Sequence, residues 1–327
     1  MLDFRELTKT FGSTSALDAM SFAVPAGEVF GFLGPNGAGK TTAMRAIFGL
    51  VKLDSGSVLY QGRALGRDEL TRFGYMPEER GLYPKMTVIE HLVYLARLHE
   101  LSRGDALGKA RELIDRLEIA GGGFSKIESL SLGNRQRTQI AAALIHEPDV
   151  LVLDEPFSGL DPLSVGAVRQ ILTDYAKRGR TVLFSSHQLE LVEDFCHSVA
   201  IANRGRIVVS GSLAELTKTA TVLAISVRED PDGNFLKTIP RIKVLESTST
   251  GQRVQVEDDQ DAQLVLRTAI EAGQLERYNF EDRRLSEVFL AAVEADNKER
   301  NFEDGQDAPA KTLAEFDPST LDDVKSP

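Results

Sequence analysis

The 327-residue chain has one cysteine, Cys196. No intrachain disulfide is therefore possible, and the residue, which follows the helical run Gln188–Phe195, reads as a small packed apolar side chain. No apolar run approaches the roughly 18 residues needed to cross a bilayer, so any membrane role must come through a partner. The start, Met1-Leu-Asp-Phe-Arg-Glu, lacks a signal-peptide pattern, and the cytosol is the expected compartment. Positive charge is scarce: 38 Lys and Arg against 49 Asp and Glu leave a net charge of −11. That balance argues against a general grip on nucleic acid, and no nucleic-acid partner is expected. Internal repeats and sustained heptads are absent too, which excludes solenoids and long coiled coils.

Hydrophobic residues make up 42% and charged residues 27%, the balance of a chain with real cores, and the length suits about two domains. The chain is organised around Gly34-Pro35-Asn36-Gly37-Ala38-Gly39-Lys40-Thr41-Thr42. An apolar run, Glu28–Leu33, precedes this stretch, and a helical pattern, Ala43–Leu50, follows it. Strand, glycine-rich loop and helix is the context that the GxxxxGK[ST] phosphate-binding pattern requires. Glycines let successive backbone N–H groups turn toward phosphate oxygens, and the helix presents its positive end to the same anion. Lys40 then reaches the β- and γ-phosphates, and the Thr41 hydroxyl ligates Mg²⁺.

Elsewhere, Leu2–Leu7, Ala19–Val24, Ser57–Tyr60 and Phe73–Met76 read as short strands. Helical spacing takes over at Val88–Leu101 and Asp105–Leu117, so about 78–147 reads as a mostly helical insert. Asp149–Leu153 and Arg180–Ser185 are continuous apolar runs of the kind buried in parallel sheets. Val199–Ala202 and Gly205–Gly211 form a last pair of strands, and a short helix, Leu213–Thr219, ends this part. The pattern changes after 220: strands at Thr221–Val227, Arg241–Leu245 and Val254–Val256, a helix at Asp261–Ala272, a further strand, and a helix at Leu285–Ala295. We expect an α/β core over 1–215, a small α+β domain over 220–295, and a disordered acidic tail over 296–327.

A second chemical element ends the run Leu151-Val-Leu-Asp154-Glu155. Two carboxylates at the C-terminal end of a buried strand stand where open α/β sheets bind ligands. Asp154 suits the Mg²⁺ of a bound nucleotide, and Glu155 suits proton abstraction from an attacking water. A third element, Leu130-Ser131-Leu-Gly133-Asn134, opens a helix and makes an anion-binding end.

These motifs, followed by Ser158-Gly-Leu-Asp161 and Ser185-Ser-His187, stand in the order found in ABC-type ATP-binding subunits, which residues 1–215 resemble. The resemblance implies a P-loop NTPase (RecA-like) core with a β subdomain and the helical insert, binding ATP and Mg²⁺. It implies that Phe11 stacks on adenine, and that Ser131 and Gly133 contact the γ-phosphate held by a second ATP-binding subunit, identical or a paralogue. Asp161 would couple the two sites, and His187 would contact the γ-phosphate. Two positions depart from the family pattern. Glu78 stands where a Mg²⁺-contacting Gln is usual, and Asn134 stands where the signature has Gln. A second carboxylate 4 Å from the γ-phosphate costs about 4 kcal/mol at an effective dielectric near 20, so the metal is expected between the charges. Both departures, with Arg284-Leu-Ser-Glu-Val-Phe-Leu-Ala-Ala, are similar to sodium-extruding and related exporter subunits. The implied activity is ATP hydrolysis coupled to transport by separate transmembrane permease subunits, at the inner face of the cell membrane, with export as the implied direction. The loop 78–85 and the helical insert are the expected docking surface. A soluble ATPase of ribosomes or DNA is the rival reading. One core, no heptads and an acidic balance speak against it.

Overall fold

The computed structural model describes residues 1–79, 81–218, 222–248 and 250–303, with side chains to residue 300. In chain order, β1 (Leu2–Phe11) and β2 (Thr14–Val24) form a hairpin. β3 (Val29–Leu33) then leads into α1 (Lys40–Ile47). β4 (Ser55–Tyr60), β5 (Arg63–Ala64), α2 (Arg67–Leu70) and β6 (Phe73–Met76) follow. The helical part holds α3 (Val88–Leu98), α4 (Arg103–Arg116) and α5 (Leu132–Leu144). β7 (Val150–Leu153), α6 (Pro162–Lys177), β8 (Thr181–Ser186), α7 (Leu189–Phe195), β9 (Ser198–Asn203), β10 (Arg206–Ser212) and α8 (Leu213–Thr217) come next. The last elements are β11 (Val222–Val227), β12 (Lys243–Thr248), β13 (Gly251–Gln255), α9 (Asp259–Ala272), β14 (Leu275–Glu281) and α10 (Leu285–Glu303).

Three sheets result. The central one has six strands in the order β10-β9-β3-β8-β7-β6. It is parallel except for the β9–β10 pair. Every residue of β3, β7 and β8 is buried, because helices cover one face and α1 with the antiparallel sheet covers the other, so no position along these strands meets water. Parallel alignment brings the C-terminal ends of β3, β6, β7 and β8 to one edge. Leu33 pairs with Ser186, Met76 with Leu153, and Leu153 with Phe184. A four-stranded antiparallel sheet, β2-β1-β4-β5, shares a second core with one face of the central sheet through Phe4, Phe22, Phe30 and Phe32.

The third sheet, β12-β13-β11-β14, packs Leu223, Ile225 and Val254 against Val265 and Ala269 of α9. α10 departs from expectation. The spacing of its apolar residues suits a helix closing the small domain, yet Leu285 and Val288 enter the same buried cluster as Val29, Leu33 and Val192 of the central layer. Asn203 on β9 also donates a hydrogen bond to Asp296 at 2.7 Å. The helix runs on to Glu303 and does not stop at Ala295, so the expected disordered tail does not begin at 296. Asp296 and Asn297 both accept from Asn203, so the helix is still held on the sheet at that turn. The expected start of the small domain at 220 and the tail from 304 onward lie outside the described residues.

Candidate functional site

The loop after β3 is packed tightly between β9 and β2. A Cβ on Gly34 would stand 2.4 Å from the carbonyl oxygen of Ala202, and one on Gly39 would stand 2.5 Å from that of Ala16. Gly39 also has φ 95°, which only glycine adopts without strain, and it caps α1. The first intrahelical bond runs from Ala43 N–H to Gly39 O at 2.9 Å. The N–H groups of Lys40, Thr41 and Thr42 come before it and are left at the helix end for an anion. Lys40 is buried, and its Nζ donates to Gly34 O at 2.7 Å and Pro35 O at 3.2 Å. Burial lowers the Lys40 ammonium below its usual range, while Glu155, Asp154 and Glu78 pull the other way.

Gly39, Lys40, Thr41, Thr42, Glu78, Asp154 and Glu155 line one open cleft, together with Asn36, Gly37, Ala38, and Thr14–Ala16 from the β1–β2 hairpin. Asp154 is buried at the end of β7. Its Oδ1 accepts from Ser185 Oγ at 2.5 Å, and its Oδ2 has no partner. Glu155 follows with φ 50°, a left-handed conformation, and its N–H donates to Ser185 Oγ at 2.9 Å. Its Oε2 lies 2.9 Å from His187 Nδ1 at the end of β8. Asn36, Glu78, Glu155, Ser158 and His187 line the adjoining recess.

The residues expected to meet a second subunit do not line this cleft. Ser131 caps α5, and its Oγ accepts from the Asn134 N–H and, at 2.9 Å, from Asn134 Nδ2. Asn134 Oδ1 accepts from Ala120 N–H at 2.8 Å and from Arg137 at 3.1 Å. The amide that the sequence offers to a phosphate is thus spent inside its own chain. Gly133 lies against the loop holding Gly159, where a Cβ would stand 3.4 Å from the Gly159 carbonyl oxygen. Asp161 caps α6, its two oxygens taking the N–H of Ser164 at 3.0 Å and its hydroxyl at 2.7 Å. The Ser164 contacts hold Asp161 below the usual carboxylate range. Phe11 ends β1, paired with Thr14, with its ring half exposed and Lys9 Nζ 5.2 Å from the ring centre.

Several participants carried no clear signal in the sequence. Gln136 donates to Glu155 O at 3.0 Å and Pro156 O at 3.1 Å. Gln139 donates to Pro77 O at 2.6 Å, tying α5 to the loop that carries Glu78. Ser185 bridges the two carboxylate residues, and only its place in Ser-Ser-His187 hinted at a role. Gln136 and Gln139 face inward on α5, where a buried amide in an apolar period is the one available clue.

Residues 17–158 match the ABC transporter family. The ABC transporter ATP-binding protein YhaQ of Bacillus subtilis is 36% identical over 295 residues, covering 90% of this chain and 99% of its own length. The linearmycin resistance ATP-binding protein LnrL of the same species is 34% identical over 219 residues, 66% of this chain and 70% of its own. Among solved structures, the dimeric post-hydrolysis structure of the ATP-binding cassette MJ0796, bound to ADP and Pi, superposes with a TM-score of 0.60. It is 25% identical and covers 65% of this chain and 99% of its own.

Proposed function

The chain belongs to the family of ABC transporter ATP-binding proteins, and on that premise we propose that it powers export through separate membrane-spanning subunits. As a member of that family it binds and hydrolyses ATP, and the family works as dimers with transmembrane components. The observation that carries the reading is the convergence of Lys40, Asp154, Glu155 and Glu78 on one cleft. Export is supported by relatives such as LnrL, named for linearmycin resistance.

Phosphate oxygens would replace the Gly34 and Pro35 carbonyls around Lys40, with the Thr41 and Thr42 N–H groups beneath them. Phe11 offers its exposed ring to adenine. Glu155, held by His187, orients and deprotonates the attacking water. No set of three or more His, Cys, Asp and Glu side chains among the described residues converges to hold a metal alone. The free Oδ2 of Asp154, the Thr41 hydroxyl and Glu78 nevertheless fit a Mg²⁺ that shares phosphate oxygens. When bound, that ion would offset the phosphate charge facing the carboxylates. Ser131, Gly133 and Asp161 lie outside the cleft of their own chain, which suits a head-to-tail dimer in which each subunit completes the site of the other.

No helix among the described residues is long and apolar enough to cross a membrane. Attachment at the inner face would run through the permease, with the 78–85 loop and α3 as the docking surface. Leu82 turns into the core there, while Tyr83 and Tyr94 remain exposed with ring centres 5.9 Å apart. The test is a tagged pull-down of E155Q from gently solubilised membranes, with ATP and with ADP. Stoichiometric recovery of a polytopic membrane protein is expected. Recovery of ribosomes or nucleic acid alone would reject the transporter assignment.

A further inference from the structure

We propose that Ser185 is a positioning residue of the hydrolytic centre, its single hydroxyl fixing both carboxylates at the end of β7. The inference rests on Asp154 and Glu155 serving the chemistry proposed above. Leu153 pairs with Phe184, so the next residues, Asp154 and Ser185, stand side by side at the sheet edge. Ser185 is fully buried. Its Oγ accepts from the Glu155 N–H at 2.9 Å and donates to Asp154 Oδ1 at 2.5 Å. A hydroxyl both accepts and donates, which a methyl group of similar size cannot do.

Two consequences follow for the site. The bond to Oδ1 fixes the carboxylate plane and leaves Oδ2 as the one unpartnered oxygen of Asp154. The bond to the Glu155 N–H restrains the backbone where φ is 50°, a conformation that is costly for a residue with a Cβ and persists only when its surroundings hold it. That backbone carries the Glu155 carboxylate to His187. Ser185 does not line the cleft. It acts through the two side chains that do, as partners of a metal ligand or a base commonly act.

The test uses full-length S185A and S185C, with D154N and E155Q as references. Three quantities are measured: ATPase kinetics, the Mg²⁺ dependence of binding of a fluorescent ATP analogue, and thermal unfolding. Loss of such an outer partner typically costs about 10- to 100-fold in activity or metal affinity. S185A is therefore expected to lower kcat by about that factor and to raise the half-saturating Mg²⁺ concentration for analogue binding, with KM for ATP unchanged at saturating Mg²⁺. S185C keeps the side-chain shape, is slightly larger and has only a weak S–H donor, so it is expected to behave as S185A does. It carries the same test if S185A fails to fold. A lower Tm with unchanged kcat and Mg²⁺ dependence would leave only a packing role and overturn the proposal. Wild-type kinetics in S185C would do the same. If E155Q and D154N also keep turnover and Mg²⁺ dependence, the underlying reading of the site is what has failed.

Discussion

His187 Nδ1 lies 2.9 Å from Glu155 Oε2, joining the end of β8 to the end of β7. The imidazole is more than half exposed, while the carboxylate is only 13% exposed. The histidine is thus a movable partner on a fixed carboxylate. Removing it frees the carboxylate to rotate without touching the phosphate loop. His187→Ala should lower kcat by about 10²-fold and leave nucleotide affinity near wild type, read by steady-state ATPase assay and equilibrium binding. Equal losses in both would place the histidine in binding and not in the chemical step.

Glu78 shares the cleft with Asp154 and Glu155. Three carboxylates around one phosphate site repel the substrate unless a cation stands among them. Glu78→Gln removes one charge and, on the proposed reading, would weaken the hold on Mg²⁺. The Mg²⁺ activation curve should move to higher concentration, and turnover should change with it. An unchanged curve with unchanged turnover would show that Glu78 takes no part in holding the ion.

His146 joins the helical part to the sheet. Its Nε2 donates to the Phe73 carbonyl at 3.1 Å, and its ring stacks on His99 with centres 3.8 Å apart. Burial pushes it down to about 4, with His99 and Lys109 acting in the same direction and the Phe73 carbonyl opposing. Between that value and the ordinary 6.5, the unfolded chain binds a proton that the folded chain refuses, so stability falls as pH falls through the window. The loss from this residue is about 2 kcal/mol between pH 6.5 and 5. Urea titrations at the two pH values should show a smaller acid loss in His146→Gln than in wild type. An equal loss would assign the acid sensitivity to other groups.

Leu285 is fully buried in the cluster that includes Val29 and Leu33. Leu285→Ala should destabilise the nucleotide-binding core itself, by about 2–5 kcal/mol. Hydrogen exchange would locate the effect: faster exchange in β9 and β10 is expected. Faster exchange confined to β11–β14 would mean that α10 stabilises only the small sheet.

What could be read from the chain follows from how each element is buried. β3, β7 and β8 are apolar throughout because both faces are covered, so their runs stand out. The hairpin was harder. β1 runs to Phe11 and β2 starts at Thr14, longer than the expected Leu2–Leu7 and Ala19–Val24, because register shifts between Phe4, Leu7, Lys9 and Thr10 break the alternation that marks a strand. The glycine loop was legible because its spacing is set by the anion that such loops hold. The inward turn of Asn134 was not, since its partners Ala120 and Arg137 come together only in the fold. For α10 the period marks an apolar face but says nothing of which core receives it.

The placement of α10 has a consequence for how the protein is made. The strip of surface that receives Leu285, Val288, Phe289 and Val293 is formed by α7, α8, β9 and β10 and is complete in sequence by Thr217, while its cover begins only at Leu285. On the ribosome, the nucleotide-binding half emerges with that strip bare and stays so until the whole small sheet has followed. A nascent subunit thus carries an uncovered apolar surface while residues 218–284 are made. α10 is the step that covers it, so a chain truncated after Thr217 should keep that surface bare and be prone to association.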